Sequence, residues 1–188
     1  MNILKHFRKI IVHKHYVFFF ARKLGIYWQG FCHDFSKFTP VEFFESAKHY
    51  AGDRSPIDVC KEKHGYSLAW QFHKGRNPHH YEFWQDNFDK GTTQIRMPDK
   101  YVKEMICDYL AAGRAYKGKD FDFHSEWLWW LNKNKNHVAM HPSTWVVVNQ
   151  VLGELDNLYG TKKITELKKK DWIKFHNIVE IALQCVEE

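Results

Sequence analysis

The sequence predicts an all-α protein that folds as one helical bundle. Gly and Pro number only 10 and 5 among 188 residues, which disfavours a turn-rich β fold. Several segments repeat apolar residues at steps of three and four, the spacing of a helix face. Aromatic residues make up 17% of the chain, and a chain of this length can bury them in one core. We therefore expect one bundle over residues 1–160 and an added C-terminal helix, residues 161–188, packed on it.

The net charge of the chain indicates what kind of partner it binds, and the spacing of its cysteines indicates its cellular compartment. The net charge of +6 fits an anionic partner, either a small molecule or nucleic acid, and does not choose between them. Nucleic acid has weaker support because the lysines are scattered along the chain. The four cysteines are far apart and form no CxxC pair, which indicates a reducing cytoplasm rather than a disulfide framework or a cysteine zinc site. The most apolar run, residues 16–21, is too short to span a membrane. We expect neither a secretory signal nor a membrane partner, and the oligomeric state stays open.

The first predicted helix, residues 4–24, carries a candidate ligand on its buried face. Its apolar stripe consists of Ile10, His13, Val17, Phe20 and Leu24. His13 lies in the middle of this stripe, whereas His15 lies on another face. A single histidine on an apolar face is more often a core residue than a ligand, so both interpretations of His13 remain open.

His33 and Asp34 follow a short break at residues 25–30. Both side chains cost free energy to bury unless they are paired or metal-bound, and the surrounding sequence is aromatic. A metal or ion-pair role is therefore expected for the two. Thr39 and Glu42, with a proline after the threonine, form a capping-box pattern that predicts a helix start.

Three more candidate ligands, His73, His79 and His80, lie in the stretch WQFHKGRNPHHYEFW. We predict that one helix ends at His73 and that another begins with Asn77 as its N-cap and runs to about Asn87. The first turn of a helix disfavours imidazolium, and neutral imidazole is the form that binds metals. A histidine-rich surface turn is the alternative interpretation.

Asp108 is the one carboxylate on an otherwise apolar helix face. This helix should open at residues 97–99 and close at residues 113–116, after a loop at residues 88–96. Its stripe consists of Tyr101, Met105, Asp108 and Ala112. An unpaired buried carboxylate tends to become protonated, so a metal or another cation is the economical explanation of Asp108. A hydrogen-bonded structural aspartate is the alternative.

The C-terminal part of the chain predicts three further helices. A Trp-rich helix lies within residues 121–135, and a second runs from a Ser143 cap to Tyr159. The last covers residues 162–188 and is amphipathic.

The candidate ligands together suggest a metal centre of one or two ions. The set is His13, His33, Asp34, His73, His79, His80 and Asp108. Histidine and carboxylate donors suit Mn, Fe, Zn or Ni. One aspartate could bridge two ions, and two close ions can clamp the attacking and leaving oxygens of a phosphoryl transfer.

The order H…HD…H…HH…D resembles the HD-domain metal-dependent phosphohydrolase superfamily, especially its branch with extra histidines and two or more metals. HDFSKF is similar to that superfamily's HD-x-G-K segment, with Ser36 where glycine is common and Lys37 matching the lysine. HDFSKFTPVEFF, FHKGRNPHHYEFW, MPDKYVKEMICDYLAAGRAY and HPST resemble a family of uncharacterised bacterial and bacteriophage proteins over about residues 10–150. In that family the first histidine precedes Lys-x-Tyr-Val, which matches His13 rather than His15.

The resemblance implies an HD-domain-like bundle and its metal ligands, and the charge and reach of the side chains suggest a role for each site residue. The primary metal would be held by His13, His33, Asp34 and Asp108, with Asp34 bridging to a second site of His73, His79 and His80. One of these three histidines could instead orient the others. Lys37, Arg76 and Arg114 would bind substrate phosphate oxygens. Asp34, Lys37 and Glu82 would be catalytic, with Glu82 as a base or only a helix cap.

These roles imply a hydrolase or diesterase of a nucleotide-like phosphoester, in the host cytoplasm if a phage encodes it. Two alternatives stay open at this stage. A di-iron oxygenase of the HD fold uses nearly the same ligands, and a non-catalytic binding protein could hold metal for stability alone.

Overall fold

The computed structural model describes residues 2–89, 91–134 and 138–186. In that part of the chain the α-helices are α1 (Ile3–Lys23), α2 (Tyr27–Cys32), α3 (Pro40–Lys48), α4 (Pro56–His64), α5 (Leu68–Arg76), α6 (Asp99–Lys117), α7 (Phe123–Asn134), α8 (Pro142–Tyr159) and α9 (Lys169–Gln184). One antiparallel hairpin joins β1 (Gln85–Phe88) to β2 (Gly91–Gln94). The predicted all-α class is confirmed, because this hairpin is the only sheet within those residues. None of their helices is long and apolar enough to cross a bilayer.

Helices α1 and α6 pack side by side at the centre of the bundle. The α1 stripe predicted from the sequence is buried from Ile10 to Leu24, and α6 buries Met105, Ile106 and Leu110 beside it. Helix α8 packs on both α7 and α9, and α3 packs on α5. Polar ligands on α1 and α6 are therefore held by two helices that pack on each other in the core.

Three helix boundaries differ from the sequence-based expectation. The helix expected to end at His73 continues to Arg76 as α5. Residues 25–30 were expected to be a break, but α2 begins at Tyr27. Helix α6 was expected to close at residues 113–116, yet it continues to Lys117 and stops at Gly118, which has a φ of 58°. Gly113 is a packing glycine rather than a helix end, because a β-carbon there would overlap the carboxylate of Glu126 on α7.

The helix predicted to begin at Asn77 does not form. The Asn77 side chain instead donates to the backbone oxygen of His73 at 2.7 Å and to Ser36 Oγ at 2.8 Å, so it ends α5. Trp84 Nε1 donates to the Pro78 carbonyl at 2.6 Å, which holds the following chain in a turn. A 3-10 turn at Tyr81–Trp84 and strand β1 therefore replace the helix, and β2 lies in the expected loop.

Two more predicted caps are replaced, and the last helix begins later than expected. Helix α3 begins at Pro40 as expected, but the Thr39 hydroxyl donates to the carbonyl of Ser36, and Glu42 is buried away from the helix end. The cap of α8 is His141, whose Nδ1 accepts from the backbone N–H of Ser143. Helix α9 begins only at Lys169, after a separate 3-10 turn.

Close packing of α1 on α2 depends on Gly30. A β-carbon at Gly30 would overlap Cβ of Ala21 and approach Cα of Phe18 to 3.4 Å. We expect Gly30→Ala to lower the free energy of unfolding by about 1–3 kcal/mol in urea titrations. Gly75→Ala, in α5 with nothing within 4 Å, should raise it by about 0.5–1 kcal/mol. Equal effects of the two substitutions would contradict the close approach.

Because the carboxyl group of Glu126 is buried, we expect the stability of the protein to fall as the pH rises. Its side chain is 4% exposed, and burial together with Asp108 raises its pKa to about 7, despite the opposing charge of Lys117. The folded state therefore binds the proton more tightly than the unfolded state, and the cost of ionisation grows from about pH 4.5 to pH 7. We expect Glu126→Gln to raise the free energy of unfolding by about 3 kcal/mol at pH 8 and to change it little at pH 4.5. The melting temperature, measured at both pH values, should rise only at pH 8. A gain of equal size at both pH values would contradict this origin.

Candidate metal centre

Asp34 lies at a sharp turn between α2 and a 3-10 turn at Phe35–Phe38. Its φ of 57° and ψ of 26° are left-handed, which no other non-glycine residue adopts in the described chain. Such a conformation costs free energy and persists only where the surroundings impose it, commonly at functional sites. Here the turn directs a fully buried carboxylate toward α1, α5 and α6.

Two groups of potential ligands meet at this carboxylate. The first ligand group is His13, His33, Asp34 and Asp108, and the second ligand group is Asp34, His73, His79 and His80. Within each group, one donor atom from every residue lies within 4.8 Å of the others. Asp34 is the member that the two groups share. These buried groups could hold a metal ion.

In the first ligand group, imidazole Nε2 atoms face carboxylate oxygens. His13 Nε2 lies 3.0 Å from Asp108 Oδ1 and 3.5 Å from Asp34 Oδ2. His33 Nε2 lies 3.1 Å from the same Asp34 oxygen. The donors come from α1, from the two residues after α2 and from α6, so the bundle core positions all of them.

In the second ligand group, the other oxygen of Asp34 is used. Asp34 Oδ1 lies 3.3 Å from His73 Nε2 and 3.4 Å from His79 Nε2. The ring of His80 packs on both, with centroids 4.8 Å from His73 and 4.2 Å from His79. Asp34 therefore offers Oδ2 to the first group and Oδ1 to the second, which is the arrangement of a bridging carboxylate.

Two glutamates that the sequence analysis did not assign to the site orient its histidines. Glu104 Oε1 accepts from His33 Nδ1 at 2.9 Å and lies 3.2 Å from His79 Nδ1. Glu42 Oε2 accepts from His73 Nδ1 at 2.8 Å. A carboxylate at Nδ1 holds the proton there and leaves the Nε2 lone pair for a metal.

A local sequence pattern could have identified Glu104 as a residue of the site, but no such pattern identifies Glu42. Glu104 precedes Asp108 by four residues and thus shares its face of α6. Glu42 fits the capping-box pattern, so its role is visible only from its contact with His73. Glu104 also lies near donor atoms of both His33 and His79, but it meets their Nδ1 side rather than the side that faces Asp34.

Unsatisfied polar atoms show that the residues fit a cation. Among the described residues, Nε2 of His73, His79 and His80 and both carboxylate oxygens of Asp34 are buried without a hydrogen bond of good geometry. Each such atom costs about 1–3 kcal/mol if nothing compensates it. Their convergence is what a divalent ion would satisfy, and nitrogen and oxygen donors of this kind suit Mn, Fe, Ni or Zn.

The charge states of two residues in the site suit metal binding, whereas two histidines must first lose a proton. Burial alone would lower the pKa of His33 and of His73, but Asp34 and the neighbouring carboxylates outweigh it and raise both pKa values. Burial alone would raise the pKa of Asp34, but His33 and Lys37 outweigh it and hold that pKa well below its ordinary value. Burial and the neighbouring His79 lower the pKa of His80 well below its ordinary value, so its ring is neutral. An ionised aspartate and a neutral imidazole are the forms that coordinate metals.

Lys37 is the predicted cation that the structure brings into the site. Its ammonium nitrogen lies 2.5 Å from Asp34 Oδ2, one turn away along the chain. It also lines a cavity of about 180 Å³. The cavity wall includes members of both ligand groups: His13, Asp108, His73 and His80.

The other predicted cations and the predicted base lie elsewhere. Arg76 is 45% exposed and lies 3.5 Å from Glu42 Oε1, and the guanidinium of Arg114 lies over the ring of Tyr16. Glu82 is half-buried in the 3-10 turn after His80. None of the three lines the cavity, so the structure unites the seven metal-ligand candidates and Lys37 but not these residues.

The chain matches the family described as a family of unknown function, DUF5662, over residues 2–154. This match covers most of the chain and every residue of both ligand groups. The chain belongs to the DUF5662 family. No curated protein and no solved structure matched it. In this DUF5662 chain, α9 lies outside the matched region, and the resemblance to HD-domain phosphohydrolases stays a prediction.

Proposed function

We propose that the protein is a metal-dependent phosphohydrolase or phosphodiesterase that acts on a nucleotide-like phosphoester at a dinuclear centre. One observation carries the proposal: the two ligand groups share Asp34 and both open on one cavity that also contains Lys37. A substrate group in this cavity could contact both ions and a cation at once. Bound divalent ions would supply charge stabilisation and a water molecule of lowered pKa.

The position of Lys37 favours an anionic substrate. In the absence of an ion its ammonium group neutralises Asp34 Oδ2 at 2.5 Å. A divalent ion at that oxygen would repel the ammonium, since both are cations close together in a buried site. A phosphate group in the cavity restores the balance, because its oxygens can accept from Lys37 while facing the metal ligands. Lys37 would then orient the phosphate, and Asp34 would be a ligand that both groups share.

The decisive experiment is hydrolysis by metal-loaded protein without oxygen. We expect protein reloaded with Mn²⁺ under anaerobic conditions to release phosphate from a simple monoester or from members of a nucleotide panel. Full metal loading without hydrolysis of any ester would contradict the proposal. Oxygen consumption by the iron-loaded protein, or metal binding that only raises stability, would instead identify the oxygenase or the binding protein.

Lys37→Gln tests the assigned phosphate contact. We expect the substitution to weaken competitive inhibition by inorganic phosphate about tenfold or more, since a charged hydrogen bond contributes about 1.5–3 kcal/mol. Metal content, measured by elemental analysis, should be retained, because the ion loses a competing cation. The loss should be smaller in Arg76→Gln and Arg114→Gln and absent in Lys63→Gln, an exposed residue of α4. Unchanged phosphate inhibition in Lys37→Gln would remove the contact from the mechanism.

A further inference from the structure

The cavity continues beyond the metal ligands to a wall that the proposed chemistry does not use. Its polar members there are His6, Lys9, Ser46 and Ser55, and its apolar members include Ile10, Ile57, Trp70 and Tyr116. His6 belongs to neither ligand group. The cavity is therefore lined by metal ligands and Lys37 and also by residues that belong to neither ligand group.

His6 is the unexplained residue of this wall. Its side chain is only 5% exposed, and neither Nδ1 nor Nε2 has a hydrogen-bond partner among the described residues. Its ring packs against Phe43 and Tyr50, with centroids 5.4 and 5.6 Å away. Buried polar side chains almost always have a partner, so an occupant of the cavity is the natural source of one.

The neutral form of His6 defines what it can bind. Burial, with a smaller effect of the Lys37 charge, lowers its pKa to about 4. A neutral ring offers one donor and one acceptor, which suits hydroxyl groups and does not attract a second phosphate. Lys9 also lines the cavity, but its ammonium donates to the carbonyl of Ala115 at 2.8 Å and lies over the ring of Tyr116. Its charge is therefore already partnered at the wall.

The size of the cavity limits the substrate. A volume of about 180 Å³ is below the range of about 300–1,000 Å³ that is usual for drug-sized ligands. A phosphorylated sugar matches such a space, whereas a cyclic dinucleotide or a nucleic-acid strand would extend well outside it. A nucleobase attached to the sugar would have to lie beyond the wall.

We propose that His6 is a specificity-determining residue that hydrogen-bonds the hydroxyl groups of a small sugar phosphate monoester whose phosphate lies at Lys37 and the metal ligands. The proposal rests on the proposed phosphohydrolase function. It adds the substrate class, a phosphorylated sugar either free or as part of a nucleoside monophosphate. Ser46 and Ser55 provide further hydroxyl groups on the same wall.

The test compares two esters of equal chain length on the metal-loaded protein. We expect kcat/KM to be at least about tenfold higher for ribose 5-phosphate than for pentyl phosphate, which has no hydroxyl groups. His6→Phe should lower this ratio about tenfold, and His6→Asn, which keeps a donor and an acceptor, should lower it less. His15→Phe, an exposed residue of the same helix, should leave the ratio unchanged. A nucleoside 5′-monophosphate as a third substrate shows whether the sugar is used free or with its base.

The outcomes separate the two proposals. If the metal-loaded protein hydrolyses neither these two esters nor any member of the nucleotide panel, the phosphohydrolase function fails. If it hydrolyses members of the panel but neither of these two esters, only the inference about a sugar phosphate is overturned. If both are hydrolysed at equal kcat/KM by the wild-type protein, only the inference about His6 is overturned, and this result does not depend on the folding of any variant. A ratio that His6→Phe and His6→Asn both leave unchanged would also overturn it.

Discussion

Asp34→Asn is expected to remove most of the bound metal from both ligand groups. Asp34 is the residue that the groups share, with Oδ2 near His33 Nε2 at 3.1 Å and Oδ1 near His73 Nε2 at 3.3 Å. An amide carries no charge and binds divalent ions far more weakly than a carboxylate. Asparagine also tolerates the left-handed conformation at φ 57°, so the turn should be kept. Elemental analysis of protein reloaded with Mn or Zn should show less than about a tenth of the wild-type content.

Controls for this substitution come from the histidines. His15→Ala should retain full metal content, because His15 is exposed on α1 and belongs to neither group. His13→Ala should reduce binding in the first group, and His80→Ala should reduce it in the second. Wild-type metal content in Asp34→Asn, with an unchanged circular dichroism spectrum, would exclude the bridging position.

Glu104→Gln is expected to weaken metal binding about 10–100-fold without removing a ligand. Glu104 Oε1 lies 2.9 Å from His33 Nδ1 and 3.2 Å from His79 Nδ1. It therefore contacts the Nδ1 atom of one histidine in each ligand group. Glutamine is a weaker acceptor than a carboxylate, so both rings lose basicity and orientation. Competition with a chromophoric chelator gives the affinity directly.

The matched control for Glu104 is Glu180→Gln in α9. Glu180 pairs with Lys103 at 2.6 Å and lies outside both ligand groups, so its loss should leave metal affinity unchanged. Equal affinity of Glu104→Gln and the wild-type protein would show that the glutamate only fills space. If Glu104→Gln unfolds without metal, its melting temperature will be lower than that of the wild-type protein. Repeating the metal titration at 10 °C, where the variant is folded, then separates weaker binding from unfolding.

The local periodicity of the sequence determined the helices that carry the ligands. The stripe of α1 placed His13 on the face that is buried, and the stripe of α6 did the same for Asp108. Both predictions rest on a spacing of three and four residues, which depends only on backbone geometry. The adjacent His33 and Asp34 were recognisable because two polar groups in an aromatic segment need partners when buried.

Local rules failed where a distant residue competes for the same side chain. Asn77 and the proline after it match the sequence pattern of a helix start. The side-chain amide of Asn77 instead donates to Ser36, 41 residues away, and to the backbone at the end of α5. Glu42 matches the sequence pattern of a capping box, yet its carboxylate accepts a hydrogen bond from His73, 31 residues away. In both cases the tertiary contact outweighs a cap that contributes only about 1 kcal/mol.

The sequence by itself determined the helical class, the buried faces of α1 and α6, and the types of side chain available for a metal. Only the tertiary structure decided which ligands meet at each oxygen of Asp34, that Glu104 and Glu42 orient the histidines, and that Lys37 faces the cavity while Arg76 and Arg114 do not. The physical reason is that helical spacing specifies the direction of a side chain around its own axis. Its neighbours depend on how separate helices pack, and that is set by contacts between residues far apart in the chain.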